Sequence, residues 1–274
     1  MGRLGGHELS YASDIDVLFV YDGDGATAYE AANRTATGLV REIGATTAEG
    51  QTFRIDAALR PEGAQGVLAR SLDGYRSYYA EYGLPWEFQS LLRARPVAGD
   101  PDVAARFMAM IEPFVVRDPF PDEFVREIRR VKVRVEQERI PPGEDAQYHL
   151  KLGRGALTDV EFLVQLLQLR NAAAHPEVLT PSTVDALDRC AAAGLLAADD
   201  ADALRRAYRF CERARNARYL VIGRPGDALP GGDDDVRIGR MLGYTHQPQS
   251  ELREEFRRVT RRSRQVFERV FVGG

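Results

Sequence analysis

The stretch Ser13 to Tyr21, "SDIDVLFVY", constrains the fold more than any other part of this chain. Five consecutive hydrophobic residues, Val17 to Tyr21, follow two aspartates, Asp14 and Asp16, with only Ile15 between them. Such a run, bounded upstream by Gly5 and Gly6 and downstream by "DGDG", predicts a buried strand. Carboxylates at the mouth of that strand are costly to desolvate unless something positive meets them. Side chains two apart on a strand share a face, roughly 6.5–7 Å apart, so both could reach one hard cation. A lone pair of this kind can equally cap turns at a strand entry. A third carboxylate shifts that balance. Asp56 lies in "TFRIDAALRPEG", where Phe53, Ile55 and Leu59 predict a second strand with Asp56 on the opposite face. Three acidic side chains on adjacent strands make an oxygen site suited to Mg²⁺ or Mn²⁺, with open positions for phosphate oxygens. Gly5 and Gly6 would let the backbone approach a triphosphate, and Ser13 could donate to it.

The surrounding pattern is mixed α and β up to about residue 112, with a helix predicted from Ala28 to Gly44 between the two strands. The proline-rich stretch "EPFVVRDPFPDE", Glu112 to Glu123, reads as a junction. The chain therefore divides into an α+β domain over 1–112 and an all-α helical bundle over 113–274. In the second part, Phe124, Ile128, Val131 and Val135 recur at helical spacing. Thr158 with Glu161 reads as a capping box. Thr180 reads as an N-cap before Pro181, with Gly194 past the helix end. A long helix is predicted from about Asp200 to Ile222. A last one, from Ser250, places Leu252, Phe256, Val259, Val266 and Val270 inward.

A chain of 274 residues with 44% hydrophobic content can bury a substantial core. A net charge of −4 argues against a dedicated nucleic-acid binder. Cys190 and Cys211 lack a CxxC partner and read as reduced thiols, and the four histidines have no ligand spacing. With neither a signal peptide nor an apolar stretch of spanning length, the expected setting is cytoplasmic, with no membrane partner. Trp86, Phe88 and Tyr82 read as packing. The arginines of the last helix, interleaved with Glu254, Glu255 and Glu268, read as a solvated face.

The GG…DxD pattern followed by a strand aspartate resembles the signature of the nucleotidyltransferase superfamily. "MGRLGGHELSYASDID", "RIDAALRPEG", "WEFQSLLRARPVAGD" and "LKLGRGALTDVEFLVQLLQLR" together resemble the glutamine synthetase adenylyltransferases, in order over Met1 to Arg170. That family usually carries two paralogous halves, one attaching AMP to a tyrosine of glutamine synthetase and one removing it by phosphorolysis. "VREIRRVKVRVEQERIP" and "RVTRRSRQVFERVF" look more like the C-terminal, adenylylating half of actinobacterial members. The resemblance implies a nucleotidyltransferase-type mixed sheet whose first strand is nearly missing before Gly5, so the chain reads as a fragment. It implies ATP as substrate, glutamine synthetase as protein partner and a PII-type signalling protein as a further one. It makes Asp14, Asp16 and Asp56 metal-binding carboxylates, and matches Gly5, Gly6 and Ser13 to the nucleotide loop. Arg60 becomes a candidate phosphate ligand, with a surface arginine after a strand as its alternative. Lys151, ahead of glycines at a helix start, could reach the nucleotide, with a plain helix-entry loop as its alternative. Asp159 and Glu161 either face a cleft or simply suit the helix dipole. The removing half, an RNA nucleotidyltransferase and a non-catalytic nucleotide-binding module are the competing readings.

Overall fold

Met1 is followed by a single helical turn, α1 (Gly2–Gly5), where the resemblance implied the end of a strand. The apolar run after it does not form one long buried strand. In the computed structural model, which describes residues 1–11 and 13–273, it breaks into β1 (Ile15–Asp16) and β2 (Phe19–Tyr21), with Val17 and Leu18 between them. Every residue from Ile15 to Tyr21 is only half-buried. A 20-residue helix, α2 (Gly25–Gly44), then crosses over to β3 (Ile55–Asp56), as a parallel pair requires. β3 lies parallel to β1, with Ile15 opposite Ile55 and Asp16 opposite Asp56. β4 (Ala69–Ser71) lies parallel to β2, with Val20 opposite Arg70. The sheet is thus two short parallel ladders among helices, an α+β arrangement.

The chain divides into two compact units. The first comprises Met1–Leu9, Ser13–Pro119 and Thr180–Ser182. Its core is aromatic and comes from α3 (Leu72–Glu81), α4 (Pro85–Leu91) and α5 (Pro101–Val115). Tyr75 meets Phe107 edge-on at 5.3 Å, Phe88 stacks on Phe114 at 5.6 Å, and the Arg117 guanidinium lies 4.8 Å from the Phe88 ring. Of the aromatics predicted to pack, Phe88 is fully buried and Trp86 half-buried, while Tyr82 is 66% exposed because it falls past the end of α3. Asp100 caps α5, accepting from the amides of Asp102 (2.8 Å) and Val103 (3.2 Å) ahead of a first-turn proline. That helix continues through Glu112 to Val115.

The second unit gathers Ser10 and Tyr11 with Phe120–Leu179 and the chain from Thr183 onward. It is built from α6 (Asp122–Glu138), α7 (Leu157–Asn171), α8 (Thr183–Ala192), α9 (Ala198–Ile222), α10 (Gly232–Met241) and α11 (Pro248–Phe267). α9 runs along α11, with α10 packed on both and α7 against α8, α9 and α11. Gly223, at φ +72°, ends α9 in the left-handed conformation that a side chain disfavours. The helix expected from Thr180 begins at Thr183 instead. The α11 stripe holds from Leu252 to Val266, but Phe271 replaces Val270 in the core. A π-turn over Glu268–Val272 inserts the extra residue that moves the register by one. Cys190 and Cys211 are buried and unbridged, with burial pushing the Cys190 thiol up to about 11 and the Cys211 thiol higher still. Among the described residues no helix is long and apolar enough to cross a membrane.

On α6 the buried row is Val125, Ile128 and Lys132, not the expected Phe124–Ile128–Val131–Val135 stripe. Lys132 is 2% exposed, and its Nζ lies 2.6 Å from the fully buried Asp159 and 3.0 Å from Glu136. Arg264 reaches the same two carboxylates at 3.0 and 3.2 Å. The Gly155 amide donates to Asp159 at 2.6 Å. Burial pushes the Glu136 carboxyl upward, but Lys132 and Arg264 hold it below its ordinary value. Asp159 therefore serves the packing of α6, α7 and α11. Removing one partner of a buried charge cluster strands the others. Asp159→Ala should cost about 3–5 kcal/mol in urea unfolding, and Lys132→Met with Asp159→Leu together should cost less than the sum of the two singly. Additive losses would show that the ions are not coupled.

Candidate active site

Asp16 and Asp56 are the last residues of β1 and β3, so both stand at the carboxyl ends of paired parallel strands. Open α/β sheets bind ligands at that edge. Paired strands lie about 4.8 Å apart, so two carboxylates in register can share one cation. Each has a local partner. The Asp16 carboxylate lies over Gly2, where any Cβ would overlap it. Asp56 accepts from the Ala58 amide at 2.7 Å, and its carbonyl takes the Val17 amide at 2.9 Å. Asp14 is exposed just before β1, and Ser13 is half-buried beside it. Among the described residues, no three His, Cys, Asp or Glu side chains draw close enough to hold a metal ion. Three carboxylates repel one another without a cation between them. The donor chemistry and the Asp16–Asp56 register fit a hard divalent ion. Asp14 is the member that would have to turn inward.

The glycines have a packing role that their sequence position did not reveal. A Cβ on Gly5 would overlap the Arg93 carbonyl oxygen, and one on Gly6 would come within 2.9 Å of the Pro181 carbonyl. Arg95 donates to the carbonyls of Leu4 (2.8 Å) and Gly5 (3.1 Å). Arg93, itself buried, pairs with Glu8 at 3.2 Å. The "LLRARP" arginines thus clamp the glycine turn, and two cations closing an otherwise apolar helix end were the signal for it. Arg60 donates its three nitrogens to the carbonyls of Ala57 (2.8 Å), Gly66 (2.9 Å) and Ala64 (3.1 Å). A phosphate contact would require it to give up these bonds. A cavity of about 140 Å³ beside Val17, Leu18, Val20, Arg95 and Phe107 is too small for a nucleotide by itself, since ligand pockets run about 300–1,000 Å³.

Lys151 belongs to the second unit and is half-buried. Its amide donates to His149 Nδ1 at 3.2 Å, and its carbonyl accepts from the Thr158 amide (3.0 Å) and hydroxyl (2.8 Å). Thr158 therefore does not cap α7 as its spacing predicted. Ala156 takes that position at φ −83°. Gly155 stands at φ +76° with the Thr260 carbonyl where a Cβ would be, so it has to be glycine.

The chain is similar to known proteins along nearly its whole length. The model of the glutamate-ammonia ligase adenylyltransferase family matches residues 1–110, and that of the GlnD PII-uridylyltransferase family matches residues 126–271. The bifunctional glutamine synthetase adenylyltransferase/adenylyl-removing enzyme of Leifsonia xyli is 44% identical over 277 residues, covering 100% of this chain and 27% of that protein. Its counterparts in Streptomyces avermitilis and Mycobacterium leprae are each 44% identical, over 279 and 280 residues and 28% of their own lengths. This chain belongs to the glutamine synthetase adenylyltransferase family. It spans little more than a quarter of the length of these relatives.

Gly5→Ala, which drives a methyl group into the Arg93 carbonyl, should lower stability by about 1–3 kcal/mol. Gly38→Ala in α2, where nothing lies within 4 Å, should raise it by roughly 0.5–1 kcal/mol. Scanning calorimetry on the two variants checks the opposite signs. A neutral Gly5→Ala would show that the turn has slack.

Proposed function

We propose that this chain transfers AMP from ATP to a tyrosine hydroxyl of glutamine synthetase, with pyrophosphate departing, as a cytoplasmic enzyme of nitrogen assimilation. The observation that carries the reading is the Asp16–Asp56 register at the carboxyl ends of β1 and β3 in a chain of this family. The proposed catalytic domain is residues 1–112, followed by a helical domain over 113–274. Asp14, Asp16 and Asp56 would hold Mg²⁺ or Mn²⁺. Bound there, the ion would neutralise the phosphate oxygens and lower the pKa of the acceptor hydroxyl. Gly5, Gly6, Ser13 and Lys151 would be the chain's nucleotide-binding residues. Arg60 would join them only on exchanging a carbonyl for a phosphate oxygen. The blocks of the helical part that resemble adenylylating halves favour attachment over removal. The relatives' names also contain the removing activity, which makes phosphorolysis the competing outcome. A PII-type signalling protein is the proposed regulatory partner.

Incubated with MgATP and glutamine synthetase, the chain should add one AMP mass to a synthetase tyrosine peptide and release pyrophosphate. Modified synthetase with phosphate should be a poor substrate pair. Release of AMP as ADP, with none added from ATP, would assign the chain to removal. Asp16→Asn and Asp56→Asn should each lower turnover roughly 100-fold or more.

In calorimetric titration, Asp14→Asn or Asp16→Asn should abolish Mg²⁺-dependent ATP binding. The melting temperature should hold or rise, because an unfilled carboxylate cluster repels itself. Unchanged MgATP affinity in both variants would retire the metal assignment.

A further inference from the structure

His149 is 1% exposed and had no role in the sequence pattern. It follows a short turn at Ala146–Tyr148 and bridges in antiparallel fashion to Ala228. The neighbouring backbone is fixed as well, since Leu150 N donates to Asp227 O at 2.6 Å and Leu229 N to Tyr148 O at 3.0 Å. Its Nδ1 receives two amides, from Lys151 at 3.2 Å and from Leu152 at 2.9 Å. A ring nitrogen that accepts carries no proton, so the neutral ring holds its proton on Nε2. That atom lies 3.2 Å from Glu144 Oε2. Lys151 is therefore held at its amide by His149 and at its carbonyl by Thr158. A surface lysine needs no such double anchor.

We propose that His149 is a positioning residue for Lys151: its unprotonated Nδ1 holds the Lys151–Leu152 turn in shape, and protonation there releases the turn and weakens nucleotide binding. The inference rests on the reading that Lys151 meets the nucleotide. The charged groups around the ring are Glu144 and Lys151 on its own segment, Arg215 and Arg218 on α9, and Asp227 on the following loop. Arg215 is tied to Asp227 at 2.5 Å and to the Ser10 hydroxyl at 3.1 Å, and Arg218 donates to the Ala228 and Arg224 carbonyls. Burial lowers the His149 pKa from its ordinary 6.5. Asp227 pulls it the other way, and Lys151 and Arg215 reinforce the lowering. The folded state thus binds fewer protons at His149 than the unfolded state, so the turn is intact above about pH 6.5 and loses stability as pH falls below that value.

The test uses the whole chain and three readouts. Nitrogen-15 shifts of the unaltered protein at neutral pH should show the His149 ring protonated at Nε2, and a ring protonated at Nδ1 overturns the proposal. Without nucleotide, His149→Ala should speed hydrogen exchange of the Lys151 and Leu152 amides about 10-fold, the worth of one lost hydrogen bond. His149→Asn, whose Oδ1 can stand in for Nδ1, should restore protection. Unchanged exchange in His149→Ala, or an Asn variant as fast as the Ala variant, overturns the proposal. With MgATP, His149→Ala should raise KM about 10-fold with kcat nearly unchanged. His149→Asn should keep the wild-type KM but lose the acid limb of the kcat/KM profile. Lys151→Ala with an unchanged KM for MgATP overturns the reading of Lys151, and the inference with it, whatever the exchange rates show.

Discussion

The parallel pairing of β1 with β3 sets the geometry on which the rest of the first unit depends. It spans only two residues on each strand, Ile15–Asp16 against Ile55–Asp56. A slip of one position would carry every side chain to the opposite face and separate Asp16 from Asp56. The ladder has little strength of its own, so the register has to be held from outside. α2 supplies the crossover, and the Arg93–Arg95 segment grips the turn before Asp14 through two backbone carbonyls and the Glu8 carboxylate. The aromatic cluster of α3, α4 and α5 gives that segment a rigid base. The strand ends are thereby set on packed helices, which would suit the proposed nucleotide site.

Charge in the second unit is handled in the opposite way. Lys132 and Asp159 are removed from water and neutralised by each other, by Glu136 and by Arg264. Such a cluster contributes little net stability compared with apolar residues of the same volume, but once built it tolerates no missing member. It joins α6, α7 and α11 around the Gly155 turn, where Asp159 accepts the Gly155 amide and the Thr260 backbone leaves no room for a side chain. The Lys151 loop thus leads into a helix start anchored by ions, while its own backbone is held by His149 and Thr158. Half-buried acids at the strand ends and the fully buried Asp159 in the bundle are the same residue type in different surroundings.

The sequence by itself determined the elements with strong local signals. The α2, α9 and α11 helices follow apolar periodicity and breakers. The acidic motif and Asp56 were visible as carboxylates beside apolar runs, and the four motif blocks were enough for the family. Local rules did less well where a neighbour changes the outcome. Thr158 has the spacing of a capping box, yet its hydroxyl donates to the Lys151 carbonyl. Val270 continues an apolar stripe, yet a π-turn brings Phe271 inward.

Only the tertiary structure decided which polar groups are buried and what each one meets. No periodicity marks Lys132 as a core residue, because a lysine is buried only if distant carboxylates from other helices arrive beside it. Nothing in the spacing around Gly5 shows that the Arg93 carbonyl lies against it. Arg60 looks like a free cation until three loop carbonyls take its donors. His149 gave no ligand spacing, since its partners are backbone amides, which every sequence possesses. Spacing reports which residues share a face of one element. Desolvation and hydrogen-bond satisfaction depend on what the rest of the chain places opposite that face.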